Sequence, residues 1–126
     1  MSSQRTLVLL QKMPKLISQK NFTNIETNYT ETTSTSQQII DSFSKNRFRS
    51  VKYQVQVTND TSHHTTEILL VHDEIITYLT EYGTILTDES LSTFTSAIVG
   101  SNVRLLATPI LSSLTKFKII RTAINS

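Results

Sequence analysis

His72 is followed at once by Asp73 and Glu74 in the stretch "TTEILLVHDEIITYLTEYGTI", residues 65–85. An imidazole beside carboxylates is the residue set of a general base with its orienting acid. Such a pair needs partners to do chemistry: an activated nucleophile, and backbone donors held by a glycine-rich loop. The chain has two glycines and no cysteine, and no nucleophile elbow or oxyanion loop can be traced in it. If residues 65–72 form a strand, His72 shares a face with Ile68 and Leu70, and Asp73 and Glu74 begin the turn that follows. The expectation is therefore a histidine at a hairpin end, bonded to the turn backbone, and no catalytic residues.

His63, His64 and His72 are the other candidate constellation, a metal cluster. Zinc sites favour spacings such as H-x₃₋₅-H or added cysteines. Neighbouring histidines on a strand point to opposite faces, so His63 and His64 do not share one ion, and no metal site is expected. No glycine-rich nucleotide loop or strand–helix alternation occurs, and no cofactor is expected. The stretch "KNRFRSVKY" interleaves Lys45, Arg47, Arg49 and Lys52 with Phe48 and Tyr53, a mixture that can clasp a nucleic-acid backbone. Its aromatics read better as core anchors with the cations in solvent. A formal charge of +2, despite a pI of about 9.0, is too thin a margin to imply nucleic acid as partner. An acidic protein surface suits these cations better. "NFT" at 21, "NYT" at 28 and "NDT" at 59 match the glycosylation sequon, which a threonine-rich chain produces by chance.

What must position these residues is a β-rich body. At 126 residues the chain fits one core, and threonine, serine and β-branched residues dominate where alanine is scarce. "VKYQVQV" alternates, with Val51, Tyr53, Val55 and Val57 on one face. "NVRLLATPI" sets Val103, Leu105 and Ala107 against Arg104 and Leu106, and "TKFKIIRTAI" sends Phe117 and Ile119 one way until Ile120 and Ile124 blur the pattern. Strands are expected at about 37–44, 49–58, 65–72, 75–82, 91–98, 102–108 and 115–124, with Gly83 and Gly100 in turns. That spacing specifies an all-β fold, an antiparallel β-sandwich of about seven strands.

The N-terminal third reads differently. Residues 21–38, "NFTNIETNYTETTSTSQQ", hold too little apolar surface for a core and read as an extended arm, with one short apolar strand candidate ahead of it at 6–10. The expected division is an N-terminal arm over 1–36 and a sandwich over 37–126. The apolar run "LVLL" is too short for a secretory signal, and no run approaches a membrane span, so a soluble chain is expected.

The C-terminal zone resembles a β-rich module of virion structural proteins from tailed phages, those of cyanobacterial phages above all. The resemblance rests on an "RS-KY" strand opener at Arg49–Tyr53, an "HDG"-like hairpin at Glu67–Asp73, and a "Y-x-T-E-Y-G" strand at Tyr78–Gly83. It continues with a strand centred on Phe94, a "G-x-V-x-L" strand at Gly100–Leu105 and a closing "RT-I" at Arg121–Ile124. It covers about residues 37–124. Glu74 stands where the module's turn has glycine, which implies another turn type there, and Ser101 replaces the second glycine of "G-G-N-V".

The resemblance implies a non-enzymatic virion protein, assembled in the host cytoplasm and carried on the particle. Its partners would be other virion proteins and further copies of itself, with no membrane involved. A tail, neck or baseplate ring, adaptor or fibre-attachment subunit is the first expectation, and a capsid decoration or head-fibre protein the second. A third is a host-glycan-binding module with Tyr53, Tyr78 or Tyr82 stacking on sugars. Assembly contacts are expected from the arm and the basic stretch: Leu7, Leu9, Phe22, Ile25, Tyr29, Arg47 and Arg49.

Overall fold

Alternating side chains give two-faced strands, and the computed structural model, which describes residues 22–125, stacks them in two antiparallel sheets. Eight strands follow in chain order: β1 (Thr23–Thr32), β2 (Gln38–Ser44), β3 (Phe48–Asn59), β4 (Ser62–His72), β5 (Thr77–Leu86), β6 (Ser92–Val99), β7 (Asn102–Pro109) and β8 (Thr115–Asn125). One sheet has the order β1-β8-β3-β4-β5 and the other β2-β7-β6. Among the described residues no helix is long and apolar enough to cross a membrane.

The two inner faces meet in one core. Val51, Tyr53, Val55 and Val57 of β3, Ile68 and Leu70 of β4, and Phe117 and Ile119 of β8 pack against Ile40, Phe43, Val103, Leu105 and Ala107 of the smaller sheet. These are the inward residues that the period of two specifies, and seven of the strands lie close to their expected positions. The unequal widths matter more. Five strands face three, so β1 and β5 project as the edges of the wider sheet.

Three local readings need correction. Residues 23–32 are not an arm lying apart from the body. They form edge strand β1, paired with β8 along ten successive positions from Thr23 opposite Ile124 to Thr32 opposite Thr115. Composition misled because an edge strand buries little on either side: its inward residues are Asn24, Glu26, Asn28 and Thr30, which need polar partners rather than a core. Asn28 finds one by donating to the Ile40 carbonyl at 2.8 Å. The division expected at 36/37 therefore cuts through the folded body. The apolar segment at 6–10, with Leu7 and Leu9, lies outside the described residues.

Gly83 is the second correction. It sits inside β5, where Thr65 pairs with Ile85 but Glu67 pairs with Tyr82, leaving Gly83 and Thr84 together opposite Thr66. Its φ of 65° is that of a glycine at a β-bulge, and Thr66 Oγ1 closes the gap by donating to the Tyr82 carbonyl at 3.2 Å. Gly100, by contrast, opens the two-residue loop between β6 and β7 as expected, with φ 64°.

The third concerns Glu74. It takes the left-handed conformation, φ 81°, in which glycine is at ease, so the missing glycine is not answered by a right-handed backbone at this position. Its carboxylate accepts from Arg49 Nη2 at 3.0 Å, and Arg49 Nη1 also donates to the His72 carbonyl at 3.3 Å.

Candidate assembly surface

The acid–base residues resolve first. His72 is buried beneath the β4–β5 turn, its Nε2 donating to the Phe48 carbonyl at 2.7 Å while its Nδ1 accepts from the Glu74 backbone N–H at 3.1 Å. Both ring nitrogens serve the backbone, as expected of a histidine at a hairpin end. Asp73 Oδ1 caps the same turn, accepting from the N–H groups of Ile76 at 2.7 Å and Ile75 at 3.0 Å. Those two bonds hold its carboxyl below the usual carboxylate range.

His63 and His64 do face opposite sides of β4. His64 is buried against the Phe94 edge, accepts from the Leu91 N–H at 3.1 Å, and turns Nε2 toward Glu81 at 4.0 Å. Burial pushes its pKa down, with Glu81 opposing. Among the described residues no group of three side chains is placed to hold a metal ion.

A polar cluster inside the sandwich had no sequence signal. A bulge in β2 at Ile40 turns both Ile40 and Asp41 inward. Asp41 Oδ2 accepts from the Tyr53 hydroxyl at 2.8 Å and from Arg121 Nη1 at 3.0 Å. Arg121 reaches Glu26 of β1 with its other terminal nitrogen, at 2.8 Å, and its guanidinium lies 5.5 Å from the Phe43 ring centre and 5.3 Å from that of Phe48. Burial, with the negative Asp41 beside it, drives the Tyr53 hydroxyl pKa far upward. The cluster ties edge strand β1 to the smaller sheet, with Glu26 half exposed at its outer end.

What remains unexplained by folding is the outer face of the five-stranded sheet. Registers across the strands place its side chains in rows. Thr23, Ile124, Ser50, Val71 and Tyr78 form one; Ile25, Thr122, Lys52, Leu69 and Thr80 the next; Thr27, Ile120, Gln54, Glu67 and Tyr82 a third. Ile25, Leu69, Val71, Tyr78, Tyr82, Ile120 and Ile124 are all exposed there, and Ile75 and Ile76 add to them from the adjoining turn. A shallow trough of about 670 Å³ runs over Leu69, Val71, Tyr78, Thr122 and Ile124. The next row is mixed, Tyr29 and Ile85 at its ends flanking Lys118, Gln56 and Thr65, and the one after it turns polar with Glu31, Lys116, Thr58 and His63. An antiparallel sheet with one face on a core normally shows water a polar face; half of this one is apolar.

The expected contact residues scatter around this surface. Ile25 (65% exposed) and Tyr29 (48%) lie on it along β1, and Phe22 precedes it. The Tyr29 hydroxyl donates to Glu31, which raises its pKa. Arg49 flanks the apolar end through Glu74. Arg47 stands apart in the β2–β3 turn, its guanidinium 4.5 Å above the Phe48 ring. Leu69, Val71, Ile120 and Ile124 were not anticipated, yet two signals existed. "ILLV" at 68–71 is apolar on both faces, and Ile120 and Ile124 were the residues that broke the alternation of β8.

No family model matches the chain, and no curated protein matches it in sequence. Its fold is similar to that of solved tailspike proteins. That of Acinetobacter baumannii phage AM24 superposes with a TM-score of 0.51 at 9% identity, over 82% of this chain and 27% of that one. The tailspike of Acinetobacter phage vB_ApiP_P1 gives 0.43 at 20% identity, over 84% and 22%. The tailspike gp49 of A. baumannii bacteriophage Fri1, a capsular polysaccharide depolymerase, gives 0.49 at 11%, over 82% and 18%. The chain thus spans at most 27% of the proteins it matches. At these identities the likeness is one of fold.

Proposed function

We propose that this chain is a non-enzymatic structural subunit of a tailed-phage particle, docking on neighbouring virion proteins through the outer face of its five-stranded sheet. The observation that carries the reading is the apolar half of that face, with Leu69, Val71, Tyr78 and Ile124 exposed side by side. Large contiguous apolar patches on folded proteins mark contact sites. The dispersal of His63, His64 and His72, each engaged with backbone or set apart, favours docking over catalysis. Similarity of fold to the AM24 tailspike favours a place on the tail over one on the capsid. Particles labelled with an antibody to this chain and imaged by negative stain test the assignment. Label on the tail, lost when Leu69 and Val71 are both changed to aspartate in the virion, is the expected result. Label on the head points to capsid decoration, and unlabelled particles overturn the reading.

A second reading has its own observation. Tyr78 and Tyr82 are both exposed on the same side of β5, four residues or roughly 13 Å apart, so their rings could stack on two units of one host oligosaccharide. Tyr53 is out of this set, being fully buried and bonded to Asp41. A glycan array on which wild type binds and Tyr78→Ala/Tyr82→Ala does not would favour this reading.

A further inference from the structure

The outer sheet face carries a second depression beside the apolar one. A trough of about 640 Å³ lies over Thr27, Tyr29, Gln54, Gln56, Thr65 and Lys118, a volume within the range of small-ligand sites. The registers lay these side chains out as a grid. Thr27, Ile120 and Gln54 follow one another across β1, β8 and β3, and Tyr29, Lys118 and Gln56 do the same one row on, continued by Thr65 of β4. Gln54 and Gln56 share one side of β3 about 7 Å apart, and Tyr29 stands two strand spacings, about 10 Å, from Gln56.

Much of the polar chemistry on this face is already engaged. Lys52 pairs with Glu67, the Tyr29 hydroxyl donates to Glu31, and the Thr65 hydroxyl donates to the Val55 carbonyl at 3.1 Å. Gln54, Gln56 and Lys118 are exposed, and among the described residues no hydrogen bond or ion pair engages them. We propose that this trough is a binding site for a carboxylate-bearing oligosaccharide. Each glutamine amide offers two N–H donors and an accepting oxygen, which suits neighbouring sugar hydroxyls that both donate and accept. The Tyr29 ring, its hydroxyl tied to Glu31, presents an apolar face to the C–H side of a pyranose. Lys118 is the one charged side chain in the lining, and its ammonium gives a sugar carboxylate a charge-assisted bond. The carboxylates of the adjoining rows, Glu31 and Glu67, are taken by Tyr29 and Lys52, which leaves Lys118 to the ligand. The ligand class is that of the tyrosine-pair reading, but the site is a different one and uses neither Tyr78 nor Tyr82, so either can fail alone.

Tetrasaccharides of galacturonic, glucuronic and mannuronic acid, and the methyl ester of each, are titrated into the isotope-labelled full chain while its side-chain amide signals are followed by NMR. At least one acid is expected to move the Gln54 and Gln56 signals and to bind about fivefold more tightly than its ester. Gln54→Thr/Gln56→Thr, which keeps strand-forming residues at both exposed positions, should weaken that binding about tenfold with thermal unfolding unchanged. Lys118→Gln should bring the acid down to the affinity of its ester, and Tyr78→Ala/Tyr82→Ala should change nothing. Binding that Tyr78→Ala/Tyr82→Ala abolishes overturns the inference, and upholds the tyrosine-pair reading where the glutamine variant still binds. No movement of the two signals with any acid overturns it, as does equal affinity for acid and ester. Tetraglutamate binding as tightly as the best acid makes this an acidic-peptide site and overturns it too.

Discussion

Arg121 Nη1 donates to Asp41 Oδ2 across 3.0 Å inside the sandwich, joining residues eighty positions apart in sequence. Arg121 is 3% exposed, so its charge has no recourse to water. Removing one member of a buried pair strands the other, at a cost of about 3–5 kcal/mol. Asp41→Ala is therefore expected to lose about that much in urea unfolding, moderated by the remaining bond to Glu26. Arg121→Met combined with Asp41→Ala should be more stable than Asp41→Ala alone. A double variant weaker than the single would show that the guanidinium holds the core by packing on Phe43 and Phe48.

His64 gives the fold an acid sensitivity. Its folded pKa is lowered from 6.5, first by burial, with Glu81 pulling the other way. The unfolded chain therefore binds the proton more readily, and the stability of neutral His64 is present above the ordinary value and lost as pH falls through it toward the folded value. Thermal unfolding should move to lower temperature between about pH 7 and about pH 5.5. His64→Asn, which can still accept from the Leu91 N–H, should flatten that slope. An unchanged slope would assign the sensitivity to other groups.

These two sites mark the boundary of what the sequence could disclose. Inward residues of β3, β7 and β8 were legible because period-two alternation survives translation into a sheet. Arg121 was not, because a cation at an inward position can be inferred only when its partner is known, and Asp41 faces inward only through the bulge at Ile40. The outer face was half legible. Ile25 and Tyr29 were named as contacts, but for their place ahead of the body rather than as members of its edge strand. Leu69 and Val71 were hidden within a run that any buried strand would also show.

Glu74 holds a left-handed backbone, which costs a residue with a β-carbon about 1–2 kcal/mol. Glu74→Ala keeps that cost and loses the Arg49 ion pair, whereas Glu74→Gly loses both. The glycine variant should exceed the alanine variant by about 1 kcal/mol in denaturant unfolding. Equal stabilities would mean that the turn relaxes when the Arg49 contact is cut.

Strand β1 predicts a proteolytic boundary. Paired with β8 throughout and pinned by Glu26 to Arg121, it should resist cleavage at Tyr29 and Glu31 under native conditions. Brief chymotrypsin treatment followed by mass spectrometry is expected to leave a fragment that keeps Tyr29. Weakening the pin with Glu26→Gln should speed the cut there. Rapid cleavage at Tyr29 in the wild type would return this stretch to the status of a loose extension.

The two rims of the wide sheet are unlike. Along β5 the bulge at Gly83 bends the backbone and interrupts its ladder, a feature that discourages lateral addition of another chain. Along β1 ten residues run in unbroken register, and among the described residues no strand pairs with its other side. A subunit with one receptive rim and one guarded rim can join a copy of itself edge to edge only through β1. Such a contact uses the same strand on both sides, so it is twofold and stops at a pair instead of running on as a ring or helical stack.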